Sequence, residues 1–226
     1  MEYLPKSKSK EPKRIFLNEL MPMVRDFLGK EYDKGKFVFA TPSLVGSAKR
    51  NLILAKCQKG KYYDYDFDYQ VFLEKVPHEL GAKQTKAAFQ RAFDDAICAL
   101  KKKENIELQP CEDSTNVLTI KKLNIDGNIE YSYDIAILQK NSKGHLMILR
   151  NEKKGNIYHF VELSNCCFGD FGKKSIKIKG IGEWNALRKL YKEKKEQMQK
   201  LPKEDRNHSL SLLKETVNEI LQKRGY

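Results

Sequence analysis

From Tyr62 to Leu73 the sequence alternates with a period of two, which restricts this stretch to a β-strand with one buried face. Tyr65, Phe67, Tyr69, Val71 and Leu73 fall on one side, and Asp64, Asp66, Asp68 and Gln70 fall on the other. Neighbouring carboxylates on that second face stand about 6.5–7 Å apart. Like charges at about 7 Å repel by about 0.6 kcal/mol in water and about 2.4 kcal/mol at an effective dielectric of ~20. Such a row either lies well solvated on an edge strand, where it discourages aggregation, or raises its own pKa values and recruits a cation. Oxygen donors with no His or Cys beside them suit Mg2+, Mn2+ or Ca2+. The Gly and terminal Glu of a calcium-binding loop are missing at the required offsets, which excludes an EF-hand.

Around this strand the pattern predicts an α+β chain with a mixed or antiparallel sheet flanked by helices and a C-terminal helical extension. Residues 1–13, with Lys6, Lys8, Lys10 and Lys13, read as a loose basic tail. Apolar positions from Ile15 to Leu28 predict a helix, kinked or split at Pro22. Phe37 to Ala40 reads as a short strand, and Gln84 to Lys103 as a helix with Phe89, Phe93, Ile97 and Leu100 on one side. Asn116–Leu123 and Ile129–Leu138 flank Asp126-Gly127, a preferred hairpin turn. His145–Leu149 and Ile157–Leu163 extend the meander, and the Gly- and Lys-rich stretch from Gly169 to Gly182 reads as a linker. Helical patterns over Glu183–Lys200 and His208–Lys223 close the chain, separated by Leu201-Pro202.

Composition narrows the partners. Forty-three Lys and Arg against 30 Asp and Glu give a formal charge of +13 over 226 residues, and 40% of residues are hydrophobic. That apolar share fills a core, and the charge favours a polyanion: nucleotide, nucleic acid or acidic membrane surface. Most of the surplus is Lys rather than the Arg that reads base edges, so a dedicated duplex reader is disfavoured. Nothing approaches the roughly 18 consecutive apolar residues of a membrane span, and no signal-type apolar segment follows the basic start. Cys57, Cys98, Cys111, Cys166 and Cys167 are odd in number and lack a CxxC spacing. They read as reduced thiols of a cytoplasmic protein, rather than as a zinc site built from Cys166, Cys167 and His159.

Two further features belong with the acidic strand. Asp134 lies within Tyr131-Ser132-Tyr133-Asp134-Ile135-Ala136-Ile137-Leu138, where an ionised carboxylate is costly unless hydrogen-bonded, paired or metal-bound. Gly46-Ser47 follows the first short strand and precedes Lys49 and Arg50. That combination offers close backbone approach, donors and cations to a phosphate.

Taken in order, Gly46-Ser47, Asp66-Phe67-Asp68 and Asp134 resemble the signature of the polymerase-β-type nucleotidyltransferase superfamily: Gly-Ser, an Asp-x-Asp on the next strand, and a third acid on a later strand. The local context matches that signature, since Asp66-Phe67-Asp68-Tyr69-Gln70-Val71-Phe72-Leu73 runs from the acids into an apolar strand, and Tyr133-Asp134-Ile135 is similar to the third-acid strand of the oligoadenylate-synthetase and bacterial cyclic-oligonucleotide-synthase branch. The separation of Gly46 from Asp66 is longer than usual, which implies an inserted turn around Gln58-Lys59-Gly60-Lys61. Asp64-Tyr65-Asp66 offers a competing register, disfavoured because the apolar run directly follows Asp68. The chain is also shorter than typical cyclic-oligonucleotide synthases.

The resemblance implies a nucleotidyltransferase-like core over 14–182 with helices at 183–226 packed on it. It implies Asp66, Asp68 and Asp134 as catalytic metal ligands for Mg2+, or alternatively Mn2+. Gly46, Ser47, Lys49 and Arg50 would hold the phosphates of a nucleoside triphosphate. The expected reaction moves a nucleoside monophosphate to a hydroxyl acceptor, with RNA one candidate acceptor. Products in this class are nucleotide second messengers or a modified small molecule, protein or RNA end. The alternative is a non-catalytic basic module that binds nucleotide or nucleic acid. Trp184 and Tyr191 could stack on a base but suit a helix core better, and Gly169–Gly182 suits a linker better than an anion-binding loop.

Overall fold

The computed structural model describes residues 1–33, 35–152, 155–163, 171–202 and 209–226. Cys166, Cys167, Gly169 and His208, singled out above, lie outside them. The chain forms two compact units, one of Leu4–Leu163 and one of Met1–Tyr3 with 164–226.

In the larger unit, α1 (Lys6–Arg14), a π-helical segment (Ile15–Leu20) and α2 (Met21–Glu31) follow one another without a break. Residues expected as a loose tail are therefore mostly helical, because Ser9 and Pro12 turn one side of α1 into the interior. Pro22 lies just after the π segment inside this continuous run, at the point where the sequence predicts a kink or split. After β2 (Val38–Phe39), β3 (Ser43–Leu44) and the short α3 (Gly46–Lys49) comes a hairpin of β4 (Leu54–Gln58) and β5 (Lys61–Tyr63). Its turn is Lys59-Gly60, both at positive φ, so the inserted turn is where the spacing placed it.

Two strands form the centre of the sheet. β6 (Tyr65–Lys75) runs parallel to β9 (Ile129–Lys140), in register from Tyr65 opposite Tyr131 to Phe72 opposite Leu138. β2 and β3 pair antiparallel with the other edge of β6. The far edge of β9 pairs antiparallel first with β8 (Leu118–Leu123), which pairs β7 (Glu112–Asp113), and then with β10 (Leu146–Glu152). β11 (Ile157–Glu162) completes the meander on β10. The sheet is thus mixed, with β6 and β9 as its parallel pair.

Alternation decides the faces. Tyr65, Phe67, Tyr69, Val71 and Leu73 of β6 are buried, as are Tyr131, Tyr133, Ile135 and Ile137 of β9. They meet Phe16, Leu20, Val24 and Leu28 from the N-terminal helical run and Phe89, Phe93, Ile97 and Leu100 from α4 (Ala82–Glu104). Phe16 stacks on Tyr69 with ring centroids 3.9 Å apart, and the Tyr133 hydroxyl donates to the Pro12 carbonyl at 2.7 Å. With one face of the parallel pair committed to this core, the intervening residues of β6 and β9 are left on the other.

The smaller unit contains β1 (Glu2–Tyr3), α5 (Phe171–Gly180), α6 (Trp184–Gln199) and α7 (Ser209–Lys223). Ile178, Leu187, Tyr191, Leu212, Leu213 and Val217 are buried in it. The linker expected at Gly169–Gly182 is therefore a helix over most of its described length, held by buried Phe171 and Ile178. Tyr191 is a core residue, and Lys179 Nζ lies 4.5 Å from the Trp184 ring centroid. Among the described residues no helix is long and apolar enough to cross a membrane.

Candidate active site

The open face of the parallel pair carries the site. Asp66 and Asp68 alternate with buried aromatics on β6, and Asp68 lies directly across from Asp134 on β9. The three carboxylates bring ligand oxygens within 4.8 Å of one another, Asp66 exposed and the other two half-buried. Parallel pairing in this register is what makes them converge: a one-residue slip would move Asp134 to the core face.

Asp64 does not join them. It occupies the corner between β5 and β6 at φ 59°, and its carboxylate accepts an ion pair from Lys56 at 2.7 Å. The expectation that three carboxylates of one strand share a face fails here. The left-handed residue interrupts the alternation, so the acidic motif opens at Asp66.

Burial raises the pKa of Asp134, and the nearby charge of Asp66 raises it further. A hydrogen bond from Thr119 Oγ1 to Asp134 Oδ1 at 2.7 Å and the positive charge of Lys121 act in the opposite direction. The carboxylate is therefore in a place that favours a cation nearby. Three hard oxygen donors, with no nitrogen or sulfur ligand joining them among the described residues, fit Mg2+ or Mn2+.

Gly46 closes the site on the β3 side. β3 pairs with β6 through Ser43 opposite Gln70 and Leu44 opposite Tyr69, and Val45 N–H donates to the Asp68 carbonyl at 2.8 Å. The chain then turns at Gly46 with φ +62°, a conformation that disfavours any residue with a Cβ. A Cβ there would stand 2.2 Å from Asp68 Oδ2. The Gly46 turn is thus packed against the Asp68 carboxylate, and Ser47, the next residue, is half-buried.

The two cations divide. Lys49 is exposed, whereas the half-buried Arg50 guanidinium donates to the Gly46 carbonyl at 3.0 Å and braces the turn. Burial lowers the Arg50 pKa from its ordinary value.

Sequence reasoning did not single out Thr119, Lys121 or Glu112. They share the open face on β8 and β7: Thr119 lies opposite both Asp134 and Glu112, and Lys121 Nζ binds both Glu112 carboxylate oxygens at 2.6 and 2.7 Å. A signal was present. Counting the hairpin register from Asp126-Gly127 places Thr119 opposite Asp134.

Compared by sequence, the chain matches no protein-family model and no curated protein. Compared by structure, it is similar to Vibrio cholerae DncV cyclic AMP-GMP synthase in complex with the linear intermediate pppA(3′,5′)pG. The TM-score is 0.61 at 12% identity, over 95% of this chain and 68% of that one. The 3′-deoxy GTP-bound form of DncV gives a TM-score of 0.58 at 13% identity, over 95% and 66% of the two chains. Its 3′-deoxy ATP-bound form gives 0.58 at 12%, over 95% and 67%. The chain thus spans about two thirds of the length of DncV. Its fold is the one that DncV takes.

Proposed function

We propose that the protein is a divalent-metal-dependent nucleotidyltransferase, with Asp66, Asp68 and Asp134 as its metal ligands and nucleoside triphosphate as its donor substrate. The observation that carries this reading is the convergence of the three carboxylates within 4.8 Å, with Gly46 held against Asp68. The likeness to nucleotide-bound DncV supports it at the level of the fold.

In this reading the acceptor hydroxyl oxygen bonds to the α-phosphorus, and the bond from that phosphorus to the α–β bridging oxygen breaks. Pyrophosphate leaves with the bonding electrons. Mg2+ or Mn2+ held by the three acids would neutralise triphosphate charge and lower the acceptor hydroxyl's pKa. Asp134, whose carboxylate pKa is raised by burial, accepts the acceptor's proton. Ser47 donates to the outer phosphates from a turn that can approach them closely, and Lys49 supplies an exposed positive charge. Arg50 keeps the Gly46 turn in shape. In this reading the acceptor is a second nucleotide, which makes the product a linear or cyclic oligonucleotide.

Purified protein incubated with α-labelled ATP, GTP, CTP and UTP, with Mg2+ or Mn2+ and with or without RNA, tests this. Released pyrophosphate and a labelled product that Asp66→Asn/Asp68→Asn does not form are expected. No turnover with any acceptor, together with equal nucleotide affinity in that variant, would overturn it.

A further inference from the structure

We infer that Thr119 is a positioning residue for the metal site: its hydroxyl fixes the plane of the Asp134 carboxylate so that the carboxylate faces Asp66 and Asp68. The inference rests on the reading of those three acids as metal ligands. A strand aspartate is anchored only at its backbone, and rotation about its terminal torsion is broad and soft. In a site that must hold a small hard cation, that softness costs affinity unless something fixes the carboxylate plane.

Thr119 supplies the constraint. Its Oγ1 donates to Asp134 Oδ1 at 2.7 Å, and it comes from the residue directly opposite on β8. The donor is itself held on both sides. Thr119 pairs with Asp134 on β9 and with Glu112 on β7, so its strand is clamped between two others. Two residues on, Lys121 Nζ ties β8 to β7 through both oxygens of Glu112 at 2.6 and 2.7 Å. Threonine is stiff at its first side-chain torsion, so the hydroxyl direction follows from the strand. A hydroxyl suits the position because it stabilises the ionised carboxylate without adding a charge that competes with the cation.

The test uses Thr119→Val, which keeps the branched shape and removes the hydroxyl, and Thr119→Ser, which restores it. Mn2+ binding is followed by electron paramagnetic resonance of the full chain without nucleotide, alongside labelled product formation. Circular dichroism and thermal unfolding in EDTA establish that each variant is folded. Thr119→Val is expected to bind Mn2+ roughly 10- to 100-fold more weakly and to need correspondingly more metal for turnover. Thr119→Ser should regain most of both.

Equal Mn2+ affinity in wild type and a folded Thr119→Val overturns the inference and leaves the metal-site reading standing. Weakened binding that Thr119→Ser does not rescue also overturns it, since the loss then follows the methyl group or the packing. Wild-type protein that binds no Mn2+, with Asp68→Asn indistinguishable from it, overturns the metal-site reading and this inference with it.

Discussion

Residue 46 and the Asp68 carboxylate cannot both keep their present positions if residue 46 gains a side chain, because a Cβ would stand 2.2 Å from Asp68 Oδ2. Relief by moving Asp68 would pull a carboxylate out of the triad, and relief by moving the turn would carry Ser47 with it. The left-handed backbone adds its own cost of about 1–2 kcal/mol for an alanine. Gly46→Ala should therefore lose turnover and divalent-ion affinity while lowering stability only by that order. Urea unfolding and nucleotide turnover measured on the same preparation check it.

Holding three carboxylates within 4.8 Å of one another without a cation stores repulsion in the folded state. A bound divalent ion reverses the sign of that contribution. Adding Mg2+ or Mn2+ should raise the wild-type Tm, since binding to the native state at about a hundredfold excess over Kd contributes about 2.7 kcal/mol. Asp66→Asn, Asp68→Asn and Asp134→Asn should abolish the shift. In EDTA, Asp134→Asn should match or exceed the wild-type Tm, because it removes a charge that burial and Asp66 both disfavour. Thermal melts with and without EDTA separate these outcomes.

Asp64 provides the internal control. Its carboxylate faces Lys56 at the β5–β6 corner, and both side chains are about half exposed. An exposed pair of this kind contributes about 0–1 kcal/mol, and asparagine tolerates the positive φ. Asp64→Asn should retain turnover and metal affinity, with stability changed by less than about 1 kcal/mol. A loss of turnover comparable with Asp66→Asn would mean that the acidic motif opens two residues earlier.

The central parts of this structure were legible because alternation encodes them directly. Tyr65 to Leu73 and Tyr131 to Ile137 each bury one face, which fixes both the strands and the side on which Asp66, Asp68 and Asp134 emerge. The break at Asp64 was not legible, because a single left-handed residue leaves the period-two pattern unchanged in the letters. The helical character of α1 and α5 was hidden for another reason. Their lysines and glycines suggest loose chain, and they are held as helices by a few buried positions, Ser9 and Pro12 in one and Phe171 and Ile178 in the other. The division of labour between Lys49 and Arg50 depends on where each side chain points, which their adjacency in sequence does not specify.

Beneath the sheet, on the face away from the acids, Lys86 of α4 is 2% exposed and lies 2.6 Å from Asp113 Oδ1 on β7. Its ammonium also donates to the Ser114 carbonyl at 2.6 Å, while Asp113 Oδ2 accepts from Asn151 at 2.9 Å and Tyr158 at 2.8 Å. The network thus joins the helix to β7, β10 and β11. Removing one partner of a buried pair costs about 3–5 kcal/mol, whereas replacing both is far milder. Asp113→Ala should be the more damaging single change, because it takes away the carboxylate and strips Asn151 and Tyr158 of their shared acceptor. Lys86→Met should cost less, since Asp113 keeps both of those donors. Lys86→Met/Asp113→Ala should recover part of the loss, giving a coupling energy of about 1–3 kcal/mol in a urea-unfolding double-mutant cycle. Because Asp113 adjoins Glu112, whose carboxylate ties β7 to Lys121, Asp113→Ala should also weaken Mn2+ binding at the distant acids. Equal Mn2+ affinity in a folded Asp113→Ala protein would show that β8 holds Thr119 in place without help from the buried pair.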